Sequence, residues 1–223
     1  MRSFSSLYER AAERKGGAVA LEALLPTPLG VDELSAISDD RWLAMMSKTI
    51  FQAGFRWSVV DNKWPGFEAA FAGFSPQRWK FMSEDDFEKL IKDSRIIRNA
   101  TKIFAVRDNA TFLCDLAEAH GSAAHFFAHW PDDDFAALLI LLKKRGCRLG
   151  GHSAQYFLRF MGKDSFIMSA DVVTALKREQ IISGDPKSQR DLKAVQRAFN
   201  QWHEESSRSL THISKVLAFT VGA

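Results

Sequence analysis

Apolar residues recur along this chain at three- and four-residue steps. Phe87, Leu90 and Ile91 form one such stripe, and Leu192, Val195, Phe199 and Trp202 form another. That spacing lines up one face of an α-helix, and no sustained alternation of period two interrupts it. The pattern predicts an all-α fold of seven or more helices. Helix starts are marked chemically: Ser83 and Ser188 each precede an acidic residue three positions on, the spacing of a capping box. Pro131-Asp132-Asp133-Asp134 sets anions where a helix N-terminus favours them. Breaks are expected at Leu25 to Gly30, Lys63-Trp64-Pro65-Gly66, Ser75-Pro76, Gly146 to Gly151 and Ser183 to Pro186. None reads as a flexible linker, and no repeat or low-complexity tract is present. Helix order alone suggests one domain over residues 1–223, with a middle lobe of about 40–130. A second lobe would combine the N-terminal segment with about 131–223, including the glycine-rich break near 146–151.

Composition narrows the class. A chain of 223 residues, 46% hydrophobic, can bury a sizeable core. The formal charge is only +3, so the basic clusters leave room for a polyanionic partner without requiring one. The two cysteines, Cys114 and Cys147, are far apart, and the segment from Met1 carries no apolar signal-peptide core. A reducing, cytoplasmic setting without a disulfide framework is the expectation. The longest apolar run, Phe135 to Leu142, stops at Lys143-Lys144-Arg145, well short of the roughly 20 residues that span a bilayer.

Three segments carry candidate chemistry. In Leu142-Lys143-Lys144-Arg145-Gly146-Cys147-Arg148-Leu149-Gly150-Gly151-His152-Ser153 one helical pattern ends and another opens across a tight turn. Backbone N–H groups at the new helix start, flanked by basic residues, suit a phosphate. An ordinary glycine-terminated helix with solvated lysines fits the same spacing. In Phe51-Gln52-Ala53-Gly54-Phe55-Arg56-Trp57 a glycine precedes two aromatics. Phe55 has the character of a wedge and Trp57 of a stacking platform for an extruded, cationic base, while core filling is the plainer use of both. The third segment runs from the capped helix at Ser83 into Ile96-Ile97-Arg98-Asn99-Ala100-Thr101-Lys102-Ile103. There Arg98 and Lys102 either reach phosphate or decorate a solvated face.

Together and in this order the segments resemble the 3-methyladenine DNA glycosylase I family, within the helix-hairpin-helix glycosylases. The resemblance runs from about Met45 to Leu113 and from Leu138 to Val173. It is carried by Gln52-Ala53-Gly54, Trp57, Phe67, Phe71, Glu84-Asp85-Asp86, Leu90, Ile96-Ile97-Arg98, Lys102-Ile103, Leu142 to Gly146, Gly150 and Val172-Val173. It implies a bilobal all-helical fold that flips an alkylated adenine out of duplex DNA and cleaves its N-glycosidic bond, acting as a monomer. By that resemblance Trp57 is the base-stacking tryptophan, with Thr49, Gln52 and Tyr8 as further base-pocket residues. Gly54 and Phe55 form the DNA wedge. Lys143, Lys144, Arg145, Gly146, Gly150, Gly151 and Ser153 bind DNA phosphates, and Arg98 and Lys102 are added to them as phosphate candidates from the third segment.

The departures from the family pattern bear on activity. Its pocket glutamate, three residues before the Gln-Ala-Gly glutamine, is here Thr49. The C-terminal pair of its structural zinc ligands would fall at Asp171 and Ala175, which do not supply the cysteine or histidine pair, and no cysteine-histidine pair lies between Met1 and Val19, so no metal or other cofactor is expected. His125 with His129, and Cys114 with His120, close no four-ligand site by spacing. The aspartate used by the wider superfamily near the sugar falls at Ser169. Asp171, two residues on, is the catalytic candidate, with helix capping as its plainer role. A catalytically silent DNA-binding descendant, or a glycosylase with a shifted purine substrate, are the alternatives that Thr49 keeps open.

Overall fold

A computed structural model describes residues 1–221. Among these, fourteen α-helices follow one another: α1 (Phe4–Lys15), α2 (Ala18–Glu22), α3 (Val31–Ser35), α4 (Asp39–Gln52), α5 (Trp57–Ala70), α6 (Pro76–Trp79), α7 (Glu84–Lys92), α8 (Ala100–His120), α9 (Ala123–His129), α10 (Phe135–Arg145), α11 (His152–Phe160), α12 (Ala170–Arg178), α13 (Gln189–Ser206) and α14 (Leu210–Phe219). Among the described residues there is no strand, and no helix is long and apolar enough to cross a membrane. Both anticipated capping boxes form. Ser83 accepts from the Asp86 amide at the start of α7, and Ser188 from the Asp191 amide at the start of α13, with the carboxylate answering each time.

The chain forms two compact units. One comprises Met1–Leu29, Trp130–Ile140 and Gly162 onward. Its core contains Phe135, Phe166, Phe199 and Trp202, with Phe166 4.9 Å from Phe135 and 4.6 Å from Phe199. Asp164 caps α14 by accepting from the amides of Leu210 and Thr211 at 2.9 and 2.8 Å. Arg208 grips Glu22 with two hydrogen bonds, of 2.8 and 2.6 Å, and the Tyr8 hydroxyl donates to the same carboxylate.

The other unit comprises Gly30–His129 and Leu141–Met161. The glycine-rich segment therefore groups with the middle helices rather than with the chain ends, a correction to the lobes expected from helix order. Burial explains it. Trp42 of α4 is fully buried, stacked on Phe127 of α9 at 4.8 Å and set edge-on to Phe157 of α11 at 5.8 Å. Asn109 of α8, 1% exposed, donates to the Cys147 carbonyl at 3.0 Å and accepts from the Cys147 amide at 2.9 Å, clamping the turn before α11.

The break expected at Lys63-Trp64-Pro65-Gly66 is absent, because α5 runs through it with Pro65 inside the helix. Trp64, Phe67, Phe71 and Phe74 build an aromatic stack there, with Trp64 5.3 Å from Phe67 and Phe71 4.9 Å from Phe74. Such burial outweighs the roughly 3 kcal/mol a helix-interior proline costs. Gly66 serves packing: a Cβ there would lie 2.6 Å from the Arg95 carbonyl oxygen.

Candidate functional site

Within the unit containing α4 and α11, a cavity of about 230 Å³ lies at the C-terminal end of α4. Thr49, Gln52 and Ala53 supply one side, Gly54, Phe55 and Trp57 the turn into α5, and His152, Ser153 and Tyr156 the first turns of α11. It is smaller than the roughly 300 Å³ at which pockets for drug-sized molecules begin, a size for one flat heterocycle. Two larger open depressions in the same unit, bordered by Ser35–Asp40 with Ala72–Gln77 and by Lys80–Phe81 with Thr111–Glu118, contain none of the predicted pocket or phosphate residues.

The turn geometry shapes the cavity mouth. Gly54 sits at φ 80°, a conformation costly to any residue with a Cβ, even though the space beside it is open. The turn leaves Phe55 43% and Trp57 42% exposed, in a protein whose other large aromatics are mostly buried. Trp57 is the first residue of α5. Tyr156 and Phe160 brace it nearly at right angles, with ring centroids at 4.9 and 5.7 Å. Rings held in this way fix the indole without covering it.

Lys102 departs from its expected role. It is 4% exposed, and its ammonium donates to the carbonyls of Phe51 and Ala53 at 3.1 and 2.6 Å, lying 4.8 Å from the Phe55 ring centre. Burial, with a smaller contribution from Arg148, lowers its pKa below the usual lysine value. The phosphate-binding assignment is therefore corrected: Lys102 neutralises the carbonyl end of α4 and steadies the Gly54-Phe55 turn. Arg98, by contrast, is exposed.

Lys143 and Lys144 are exposed on the last turn of α10, beside Arg145, which pairs with Asp115 at 3.3 Å and lies over the Phe112 ring. Gly146 closes the helix: a Cβ there would meet Leu149 Cδ1 at 2.7 Å and the Leu142 carbonyl at 2.8 Å. Arg148 and Gly151 both take positive φ, and Gly151 is the N-cap of α11 with no side chain to satisfy the first-turn amides. A helix start uncapped by a side chain, next to exposed lysines, suits an oxyanion.

The structure thus brings Thr49, Gln52, Gly54, Phe55, Trp57 and Ser153 to one cavity. Tyr8 and Asp171 belong to the other unit and do not line it. Asp171 is exposed in the first turn of α12, whose cap is Ser169, accepting from the Val172 amide. The Thr49 hydroxyl lies 3.0 and 3.2 Å from the Met46 and Met45 carbonyls, so its proton stays within α4 and only an oxygen acceptor and a methyl remain for the cavity. Sequence reasoning did not assign His152 and Tyr156 to the pocket. Their spacing of four on α11 is a signal that would have found them once that face met α4.

Cys114 and Cys147 are half-buried free thiols, each with its pKa raised chiefly by burial. His129 Nδ1 lies 3.0 Å from the His125 carbonyl. Among the described residues no three His, Cys, Asp or Glu side chains converge as metal ligands.

Residues 34–138 match the model of the methyladenine glycosylase family. DNA-3-methyladenine glycosylase 1 of Escherichia coli (strain K12) is 41% identical over 59 residues, 26% of this chain. The match spans only 32% of that relative's length. Among solved structures, 3-methyladenine DNA glycosylase I from Staphylococcus aureus superposes with a TM-score of 0.52 at 20% identity, over 73% of this chain and 95% of that one. Methanocaldococcus jannaschii 8-oxoguanine DNA glycosylase gives 0.58 at 14% identity, over 94% and 91%. The structural likenesses establish the fold as that of the helix-hairpin-helix glycosylases. Over residues 34–138, a little under half of its length, this chain is similar to the methyladenine glycosylase family.

Proposed function

We propose that the protein is a cytoplasmic, monomeric DNA glycosylase of base excision repair, excising 3-methyladenine from duplex DNA. The observation that carries this reading is one base-sized cavity lined jointly by Trp57, the Phe55 turn and the first turn of the hairpin helix α11. The names of the relatives, DNA-3-methyladenine glycosylase 1 among them, support the same chemistry.

In this reading Lys143 and Lys144, with the start of α11, hold the DNA backbone without reading its sequence. Phe55 enters the space vacated in the base stack, offsetting a few kcal/mol of unstacking. Trp57 stacks on the extruded base, and its π-face favours the positive charge of an N-alkylated adenine. That charge already weakens the glycosidic bond. The bonding pair moves onto the base, which leaves neutral, while water adds to the sugar carbon and gives up a proton. Among the described residues no carboxylate lines the cavity, and departure of a cationic base does not require a strong acid.

A second reading, a silent DNA-binding descendant or a glycosylase for another purine, is favoured by Thr49, whose hydroxyl proton is engaged within α4. The test is chromatographic detection of free bases released from methylated duplex DNA, with binding to the same DNA measured alongside. Release of 3-methyladenine supports the first reading. Binding without release supports the silent descendant, release of a different purine supports a shifted substrate, and failure to bind overturns all three.

A further inference from the structure

Gln52 is 5% exposed and lines the cavity, yet its Oε1 is buried without a hydrogen-bond partner. Such an atom is costly to leave unsatisfied, which makes it a marker for a missing ligand. The other end of the same amide is committed. Nε2 donates to Asp61 Oδ1 at 3.3 Å, and Lys48 holds that same oxygen at 2.9 Å. Lys48 and Gln52 are one turn apart on α4, so both face Asp61 on α5. Turning the amide over would set Oε1 against the Asp61 carboxylate. The orientation with Oε1 away from Asp61 is therefore enforced by charge.

We propose that Gln52, oriented by Asp61 and Lys48, is the acceptor that selects the base, taking a hydrogen bond from an exocyclic amine on the purine edge. This rests on the reading of the cavity as a base pocket. Beside Gln52, Thr49 also offers only an acceptor, its proton being spent on α4. The α4 wall thus matches an edge that donates N–H and rejects one that presents only acceptors or C–H. Gln52 supplies neutral selectivity where no carboxylate lines the wall, while Asp61 and Lys48 are positioning residues.

The test is calorimetric binding of free 3-methyladenine and of 3-methylpurine, which has the same flat outline without the amine. The wild-type protein is expected to prefer 3-methyladenine by roughly ten- to a hundredfold, the ratio one buried hydrogen bond supports. Gln52→Leu is expected to abolish the preference. Asp61→Ala, at a residue whose side chain is 45% exposed, is expected to reduce it several-fold without moving the melting temperature, and it carries the test if Gln52→Leu does not fold. Equal binding of the two bases by the wild type, or a preference that survives both variants, overturns the selector role and leaves the glycosylase reading standing. Binding of neither base overturns the selector and removes the base-pocket reading with it.

Discussion

Replacing Lys102 by methionine separates a structural lysine from a DNA-binding one. The variant keeps the aliphatic stem and deletes the ammonium that serves the Phe51 and Ala53 carbonyls and approaches the Phe55 ring. Hydrogen bonds from a charged donor are each worth about 1.5–3 kcal/mol. Part of that returns, because the buried ammonium no longer pays for its lost hydration, the same burial that lowers its pKa. The Ala53 carbonyl can turn to water, since Ala53 is exposed, whereas Phe51 is fully buried. A net loss of about 2 kcal/mol is expected, read as a lower denaturation midpoint. The salt dependence of binding to duplex DNA is the discriminating assay. Each phosphate contact contributes about 0.9 to the slope of log K against log salt. Lys144→Ala should flatten that slope by about one contact, and Lys102→Met should leave it unchanged while base extrusion weakens. A slope flattened equally by both variants, with Lys102→Met as stable as the parent, would refute the capping role.

Other perturbations follow from the same geometry. Trp57→Ala should leave the melting temperature nearly unchanged, because the residue is 42% exposed, while weakening capture of the extruded base by about 1–3 kcal/mol in a fluorescence titration with a base analogue. Asn109→Leu removes both bonds to the Cys147 backbone and should cost about 1–3 kcal/mol, with amide exchange rising first in the hairpin turn. In acid, Glu22 loses its advantage. Hydrogen bonds from Arg208, then from Tyr8, lower its pKa to about 2 from 4.5, so its stabilisation is complete above about pH 4.5 and fades as pH falls toward 2. For so exposed a pair this amounts to less than about 1 kcal/mol, and Glu22→Gln should flatten that part of the acid stability curve.

The helical class and the capping boxes were legible because they are local: a spacing of three or four and a serine three residues before an acid suffice. Residues 63–66 misled because proline and glycine are read as punctuation, whereas here an aromatic stack carries the helix across Pro65 and the Arg95 backbone fills the space beside Gly66. Arg98 and Lys102 look alike in sequence. Only the three-dimensional end of α4 turns one of them inward. The grouping of the hairpin with the middle helices depends on Trp42, Phe127 and Phe157, which are too far apart along the chain for any periodicity to join them. Likewise Gln52 was legible as a pocket residue, but the direction of its amide is decided by Asp61, on the next helix.

Helix α8 acts as a ruler. Lys102 steadies the Gly54-Phe55 turn and Asn109 clamps the turn at Cys147, and these two anchors are seven residues apart on one helix. Seven residues are almost two full turns, so both project from the same face, separated along the axis by about 10.5 Å. The spacing between the Gly54-Phe55 turn and the Cys147 turn is thereby set by helical rise rather than by loop length. One residue inserted between the anchors would swing one of them about 100° around the axis and dissociate the two grips. Substitutions in the cavity, such as threonine at position 49, leave that interval untouched.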